Sequence, residues 1–301
     1  MLNPIKWLEL ELKRNVTRAI LDTEKNLQNK KKREQKRLRE GRNHVIYYFH
    51  QVDDPYSHLC AQTLPLIANT YDVEIKTFLV PSPTKEAAPE PDLLKSHSLQ
   101  DAKIIAPHYG FTFPSVNELP NDKIIQMAQW AFICSENQSF EDIIKIGDLL
   151  WNNDQSSIED LFSKSPNEEI VNDTLSKNSK LRKNFGHYLG GVFVYEGECY
   201  LGIDRLSLLE KRLADLGAKK DEKAKVIQRR PSDVQAIINL GLEVDILWSA
   251  RSPYSYLAMK QLRELSDKYH LKLNYKLILP MVMRGMKVNY EKRMYITKDC
   301  K

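Results

Sequence analysis

Two short segments combine residue types that can stabilise an anion at the start of a helix. They are Asp54-Pro-Tyr-Ser57 and Ser252-Pro-Tyr-Ser255, and each follows an apolar run. Free backbone N–H groups and the helix dipole favour negative charge at such a position. In enzymes that exchange disulfides that charge is a cysteine thiolate. Neither segment carries a cysteine, so the sequence excludes dithiol–disulfide exchange at a Cys-x-x-Cys site.

The two segments differ in what their first residue can do. The Ser252 hydroxyl can donate a hydrogen bond to an external thiolate, which lowers the pKa of that thiol. Asp54 fits this role poorly, because an ionised carboxylate donates nothing and repels a thiolate. Helix capping is the alternative interpretation, since Asp and Ser are favoured caps and Pro is favoured next. Capping explains less well why Tyr and Ser follow the proline in both segments.

Composition indicates a globular protein of one large or two medium domains. The chain has 301 residues, of which 42% are apolar, and no apolar run approaches the length of about 18 residues that spans a bilayer. We find no secretory signal pattern and expect a cytoplasmic protein. The histidines form no metal-binding motif, so we predict no metal site. Four widely spaced cysteines suit a reducing compartment: Cys60, Cys134, Cys199 and Cys300.

Residues 1–43 are predicted to form a basic amphipathic helical extension. Apolar residues recur every three or four positions after a helix start at Asn3-Pro4, and the helix is expected to end near Gly41. The stretch from Glu24 to Asn43 carries nine Lys or Arg and three acidic residues, against a net charge of +5 for the whole chain. No aromatic residues interleave with the basic run, so we favour a solvated helix face over contact with nucleic acid or an anionic surface.

Residues 44–216 are predicted to form an α/β domain. A strand at 45–49, a helix opened by Pro55 that runs on to Tyr71, and a strand at 73–80 make a β-α-β unit. Two short strands joined by a Glu-Gly turn and a helix ending on Gly217 close the domain. The order predicts a thioredoxin-like fold with an inserted helical subdomain. The helices predicted in the insertion cover residues 99–105, 123–133, 140–151, 157–163 and 168–176.

A hydrophilic linker at 217–240 separates this domain from residues 241–301, which repeat its beginning. Pro253, Tyr254 and Ser255 align with Pro55, Tyr56 and Ser57 at one offset, and this predicts a tandem second copy of the β-α-β unit. The copy lacks a counterpart of the closing strands and helix. We therefore expect either that the natural chain continues beyond Lys301 or that the first domain, a second copy in a homodimer or another chain covers this small sheet.

The segment SPYSYLA at 252–258 resembles the active-site segment of one branch of the DsbA-like thioredoxin superfamily. This branch contains the 2-hydroxychromene-2-carboxylate isomerases and the kappa-class glutathione transferases. The segment GECYLGIDRLSLLEKRL at 197–213 is similar to the C-terminal segment of the same branch. The resemblance covers most of residues 44–216 and the beginning of a second domain.

The resemblance implies a glutathione-dependent isomerase or transferase acting on a small aromatic or unsaturated substrate. Ser252 would be the catalytic residue that holds the glutathione thiolate. Asp204 and Gly202 would face the γ-glutamyl end of a tripeptide bound in the first domain, and Tyr254 would shape the pocket. The other positions that the resemblance places in the binding sites are Asp54, Pro55, Tyr56, Gly191, Val192 and Pro253.

The chain departs from this pattern at two positions. Asp54 replaces the serine in the first domain, and Gly191 stands where the branch has a cis-proline. These departures favour a second hypothesis, a non-catalytic binding module. A third hypothesis, a DsbA-family oxidoreductase, needs a reactive cysteine near Asp54 or Ser252. The nearest, Cys60, lies about a turn and a half inside the helix.

Overall fold

The computed structural model describes residues 7–8, 11–12, 14–15, 18–19, 22–135, 139–162, 164–221, 226–227 and 241–300. The chain divides into two compact units, one formed by Met1–Gln35 with Pro231–Lys301 and the other by Lys36–Arg230. The predicted helix start at Asn3-Pro4 and most of the predicted linker lie outside the described residues. Among the helices that are described, none is long and apolar enough to cross a membrane.

The described residues of the N-terminal extension include helical ones on both sides of the non-helical Asp22, which corrects the prediction of one continuous helix. Residues 18–19 are helical, Asp22 is not, and helix α1 spans Thr23–Arg39. The Asp22 carboxylate accepts a hydrogen bond from the backbone N–H of Lys25 at 3.0 Å. An aspartate in this position caps a new helix, which is why α1 begins here. Beyond its end, Gly41 adopts a positive φ of 59°.

A four-stranded mixed sheet forms the centre of the unit Lys36–Arg230. Its strands are β1 Val45–His50, β2 Glu74–Leu79, β3 Val192–Tyr195 and β4 Glu198–Leu201. Their order is β2-β1-β3-β4, with β1 and β2 parallel and the other neighbours antiparallel. Glu196 and Gly197 both adopt positive φ in the turn between β3 and β4, as a tight two-residue hairpin requires. The thioredoxin-like topology is therefore as predicted.

The helix after β1 is broken, whereas the sequence pattern predicted one helix. The structure has α2 at Pro55–Ala61 and α3 at Leu64–Thr70. Pro65 has no N–H to donate to the carbonyl one turn earlier, so the helical hydrogen-bond pattern cannot pass through it. Thr63 compensates at the break, because its backbone N–H and its hydroxyl both donate to the Cys60 carbonyl.

The inserted subdomain between β2 and β3 is helical, as predicted, but several boundaries differ. The first and last of its helices are longer than expected and the short fourth one begins earlier. After β4, the chain passes through a 3-10 turn at Ile203–Arg205 into the closing helix α9, Leu206–Asp215. The inserted helices are α4 Pro91–Ile105, α5 Asp122–Cys134, α6 Phe140–Trp151, α7 Gln155–Glu159 and α8 Glu168–Asn184.

Side chains cover both faces of the sheet in this unit. On one face, Tyr48 and Phe193 pack in the main core with Leu59 of α2 and Phe132 of α5. On the other face, a smaller cluster of Phe49, Val80, Val192 and Val194 is covered by Leu181 and Phe185. The carboxyl end of β1 and the start of α2 are therefore held between two packed layers.

The described part of the other unit contains a β-α-β arrangement at its C-terminal end. Strands β5, Glu243–Trp248, and β6, Lys272–Leu277, are parallel, with α10 at Pro253–Tyr269 between them and α11 at Tyr290–Asp299 after them. Glu243 lies opposite Lys272 as Val45 lies opposite Glu74, at the same residue separation.

The core positions of the two sheets differ in exposure. Leu277 is 71% exposed, whereas Leu79 is 1% exposed at the corresponding place in the larger sheet. In the described residues of this unit, β5 pairs with β6 and with no further strand. Within the described residues, the apolar side chains of this small sheet are therefore not covered by packed layers such as those that bury β1 and β2.

The contact between α6 and α2 gives a testable prediction of stability. Replacing a helical glycine by alanine usually stabilises a protein by about 1 kcal/mol. A Cβ at Gly147, however, would lie closer to His58 Nδ1 than van der Waals contact allows. We expect Gly147→Ala to lower the free energy of unfolding by about 1–3 kcal/mol, measured by urea denaturation.

The control is a double-mutant cycle with His58→Ala. Once the ring is removed, Gly147→Ala should cost nothing or should stabilise the protein. A stabilising effect of Gly147→Ala in the presence of His58 would show that this helix contact is not as described.

Candidate functional site

Asp54 is committed to capping α2. Its Oδ2 atom accepts hydrogen bonds from the Ser57 backbone N–H at 2.9 Å and from the Ser57 hydroxyl at 2.6 Å. Its Oδ1 atom accepts a longer bond from the Tyr56 N–H at 3.4 Å. The carboxylate is thus satisfied by its own helix and has no proton to offer a ligand in its ionised form.

Burial raises the pKa of Asp54 to about 6. The hydrogen bonds from Ser57 act in the opposite direction, and the neighbouring Asp53 carboxylate raises the pKa further. Loss of solvation is the dominant effect, because it penalises the charged form. Asp54 therefore changes charge in the mildly acidic range.

The chain before β3 passes directly over this cap. Gly191 adopts a φ of 60°, and a Cβ there would lie 3.3 Å from the Ser57 nitrogen. A Cβ on Gly190 would lie 2.7 Å from the Ser57 hydroxyl oxygen. No peptide bond among the described residues is cis. Gly191, which stands where the resembled branch has a cis-proline, thus lets the backbone approach the start of α2 closely.

Four of the predicted site residues of the first domain come together here. Gly191 accepts a hydrogen bond from the Gly202 N–H at 2.9 Å, and a Cβ on Gly202 would lie 2.9 Å from Asp204 Oδ1. Asp204 is exposed and its Oδ2 lies 2.8 Å from an Arg205 guanidinium nitrogen. Asp54 is connected to this group through Ser57, which donates to the Asp54 carboxylate and lies next to Gly191.

The remaining predicted positions in this domain have structural contacts. Pro55 is buried in the first turn of α2. The Tyr56 hydroxyl donates to Asp101 Oδ2 at 2.7 Å, which ties α2 to α4. The side chain of Val192 packs in the smaller core cluster on the far face of the sheet. Val192 is fully buried, so it has no accessible surface with which to contact a ligand.

Two buried histidines lie near the turn. His50 Nδ1 is 3.0 Å from the Tyr48 hydroxyl, and its ring stacks on Phe132. Burial lowers the pKa of His50 to about 3, so this imidazole is neutral at physiological pH. His58 is 1% exposed, and its Nε2 lies 3.1 Å from Asp148 Oδ1 without hydrogen-bond geometry. Both rings contribute to the core.

Sequence analysis missed a buried ion pair beside the cap. Asp53 is 6% exposed and accepts hydrogen bonds from Ser82 at 2.8 Å and Gln51 at 3.1 Å. The Lys95 ammonium lies 3.0 Å from the same carboxylate. Lys95 lies in α4, far along the chain from Asp53, so no local sequence pattern predicts that the two side chains pair.

Cys60 is unsuited to thiol chemistry. It is fully buried, and its sulfur lies 3.6 Å from the Gly191 carbonyl oxygen. Burial holds the pKa of the Cys60 thiol well above its usual range, and the charges of Asp54 and Asp204 act in the same direction. The protonated thiol is a poor nucleophile.

Ser252 caps the longer helix α10 in a similar manner but keeps a donor. Its Oγ atom accepts a hydrogen bond from the Ser255 N–H at 3.3 Å. The Ser255 hydroxyl accepts from the Ser249 N–H at 3.3 Å, as the Ser57 hydroxyl does from Gln51. Within the part of the chain that the structure describes, the Ser252 hydroxyl proton has no acceptor. Ser252 is half-buried, and Pro253 and Tyr254 are exposed.

A tyrosine next to each cap is tethered in the same way. The Tyr254 hydroxyl donates to Asp299 Oδ2 at 2.9 Å, as Tyr56 donates to Asp101. In both units the acceptor lies on the helix that follows the second strand. These hydrogen bonds fix Tyr56 near the Asp54 cap and Tyr254 near the Ser252 cap.

Fold and site define a thioredoxin-like domain with an inserted helical subdomain and no cysteine at the helix start. Two solved structures are similar to this chain. One is a 2-hydroxychromene-2-carboxylate isomerase, with 14% identity, a TM-score of 0.40, and coverage of 57% of this chain and 96% of that one. The other is the cytosolic disulfide reductase DsbM from Pseudomonas aeruginosa, with 12% identity, a TM-score of 0.37, and coverage of 56% and 98%. No family model and no curated protein matches the chain.

The raised pKa of Asp54 predicts a pH-dependent effect of Asp54→Asn. The folded-state pKa is about 6 against an ordinary value of 3.8, so stability falls as pH rises through this interval. Asparagine keeps the cap acceptor for Ser57 but carries no charge. We expect the variant to exceed the wild type by about 1–3 kcal/mol at roughly pH 8 and to match it at roughly pH 3.5.

Urea midpoints at both pH values measure this difference. Asp160→Asn, at an exposed position after α7, is the matched control and should show no such pH dependence. A gain for Asp54→Asn that is equal at both pH values would contradict a buried, titrating carboxylate.

Proposed function

We propose that this chain is a glutathione-dependent isomerase or transferase-like protein whose thiolate-holding residue is Ser252. One observation carries the proposal. The Ser252 hydroxyl accepts a helix N–H and has an unused proton among the described residues, at the start of a 17-residue helix. A hydroxyl in this state can donate to an anionic sulfur while the helix dipole favours the same charge.

The two cap residues differ in their ability to donate a hydrogen bond to a thiolate, which the proposal requires. Asp54 presents two acceptor oxygens that already bind the N–H groups of its own helix and the Ser57 hydroxyl. At neutral pH it is mostly ionised and repels a thiolate. The residues around Ser252 fit a sulfur anion, and those around Asp54 do not.

The residues near Ser252 would have separate tasks in the reaction. Bound glutathione would supply a thiolate that adds to an unsaturated carbon of a small aromatic or unsaturated substrate and later leaves it. Ser252 would orient the sulfur and lower its pKa. Tyr254, held by Asp299, would form a wall of the pocket beside the exposed Pro253. This proposal places the protein in the cytoplasm, where reduced glutathione is kept.

The first domain has a supporting role in the proposal. Gly202 and Asp204 would face the γ-glutamyl end of a tripeptide bound there, because the Asp204 carboxylate is exposed and can pair with an ammonium group. Asp54 and Tyr56, which are half-buried, would form the rest of that surface, whereas Pro55, Gly191 and Val192 are buried and would support it from below.

Calorimetry on the full chain tests the role of Ser252. The wild type should bind glutathione more tightly than S-methylglutathione, and the preference should grow as pH rises, because only glutathione forms a thiolate. We expect Ser252→Asp, which keeps the cap but repels the anion, to weaken glutathione binding by about tenfold or more. Ser252→Thr should retain binding, since threonine keeps both the cap and the hydroxyl.

Ser176→Asp, at an exposed position of α8, is the matched control for the added charge and should leave the preference at Ser252 intact. Equal binding of glutathione and S-methylglutathione, unaffected by Ser252→Asp, would show that no sulfur anion is held there. Absence of binding at millimolar glutathione would reject the enzyme.

A non-catalytic binding module is the second candidate function. It is favoured by the saturated hydrogen bonding of Asp54 and the close passage of Gly190 and Gly191 over Ser57. Absence of glutathione binding in the experiment above would support it.

A further inference from the structure

Helix α10 carries an exposed stripe of apolar and polar residues. None of its 17 residues, all of which the structure describes, is buried. Exposed residues recur along it at spacings of three and four positions, which places them on one side of the helix. We call this side the α10 face; it consists of Tyr254, Leu257, Gln261, Leu265 and Lys268.

The larger unit covers the corresponding surface with a helix. The strand registers align the two units at one constant offset, which places Leu257 at the position of Leu59. Leu265 falls in the same way at the position of Ile67. Leu59 and Ile67 are 0% and 2% exposed, and α6 packs against the helices α2 and α3 that carry them. Leu257 and Leu265, in contrast, are 49% and 45% exposed, so the α10 face is a helix-binding surface left open to solvent.

The α10 face is complementary to itself in the antiparallel direction. Leu257 and Leu265 lie equally far before and after Gln261 in the sequence. A two-fold axis at Gln261 therefore places Leu257 of each copy against Leu265 of the other. The same axis brings Tyr254 of each copy to Lys268 of the other, and an ammonium group is favoured over an aromatic ring. Lys268 already lies 4.9 Å from the centre of the Tyr269 ring in its own chain, so this pair fixes the register more than it adds stability.

The charges beside the α10 face follow the same symmetry. Lys260 and Glu264 are exposed along one edge of the face, with Nζ and Oε1 3.9 Å apart. The two-fold axis brings Glu264 of each copy near Lys260 of the other, which is favourable. A parallel pair would instead place Lys268 of both copies side by side. A partner helix of uniform charge would be repelled by either Lys260 or Glu264, so the charge pattern favours a second copy in the antiparallel direction.

We propose that the α10 face is the interface between two copies of this chain, packed as an antiparallel helix pair about a two-fold axis at Gln261. One helix pair of this length buries less surface than a standard interface of about 1,600 Å². The dimer is therefore weak, with a Kd of roughly 10–100 µM. This interface goes beyond the proposed glutathione function and does not depend on it.

Analytical ultracentrifugation of the full chain between about 5 and 500 µM tests the proposal and should show a reversible monomer–dimer equilibrium. Leu257→Glu/Leu265→Glu sets carboxylates against each other across the axis and should weaken the dimer about tenfold or more. Leu257→Lys/Leu265→Lys should do the same, whereas a mixture of the two variants should form a heterodimer. Tyr256→Glu, at a residue of α10 that is 76% exposed and lies outside the face, is the matched control and should dimerise as the wild type does.

Cross-linking locates the axis. Gln261→Cys should form a disulfide between the two copies on mild oxidation, above the background of the wild-type cysteines, because the two side chains meet at the axis. Asp267→Cys, exposed on another side of the same helix, should not. A chain that stays monomeric up to the highest concentration would overturn the proposal, as would a dimer that survives Leu257→Glu/Leu265→Glu or equal cross-linking of both cysteine variants. Loss of glutathione binding in the separate experiment leaves these tests unaffected.

Discussion

The buried hydroxyl and backbone of Ser57 connect the parts of the larger unit on which its site depends. The Ser57 hydroxyl accepts from the N–H of Gln51 at the end of β1 and donates to the Asp54 cap. Its carbonyl accepts from the Tyr48 hydroxyl at 2.7 Å, inside the core. One small side chain thus joins strand, turn and helix. Because it is fully buried, no space remains there for a larger residue, and Gly190 must lack a Cβ.

Ser255 makes the equivalent bond to the strand end in the other unit, so the two helix starts differ mainly in their caps. Where the cap is Asp54, the Ser57 hydroxyl donates to the Asp54 carboxylate, so both groups are already hydrogen-bonded within the turn. Where the cap is Ser252, there is no carboxylate to receive a proton. A single difference in residue type therefore separates a turn whose hydroxyl proton is taken up by its own cap from one whose cap is itself a hydroxyl.

Sequence patterns predicted those parts of the structure that local interactions determine. The helix Phe140–Trp151 was predicted with its correct ends, because Ser139 caps it and its apolar residues follow the helical period. The break near Thr63 was missed, since Pro65 was taken as part of a continuing helix. At the site, the cap roles of Asp54 and Ser252 could be anticipated from residue type. The pairing of Asp53 with Lys95 could not, because it depends on how two distant segments pack.

The parallel strand pairs of the two units share one register and one crossover length. The backbone bond that closes each pair is also the same, from Val80 to His50 and from Ile278 to Trp248, both at 2.8 Å. A chimera that exchanges residues 45–80 for residues 243–278 would therefore keep the chain length between the strands and their alignment. Such an exchange replaces an aspartate cap by a serine cap while leaving the backbone pairing of the sheet unchanged.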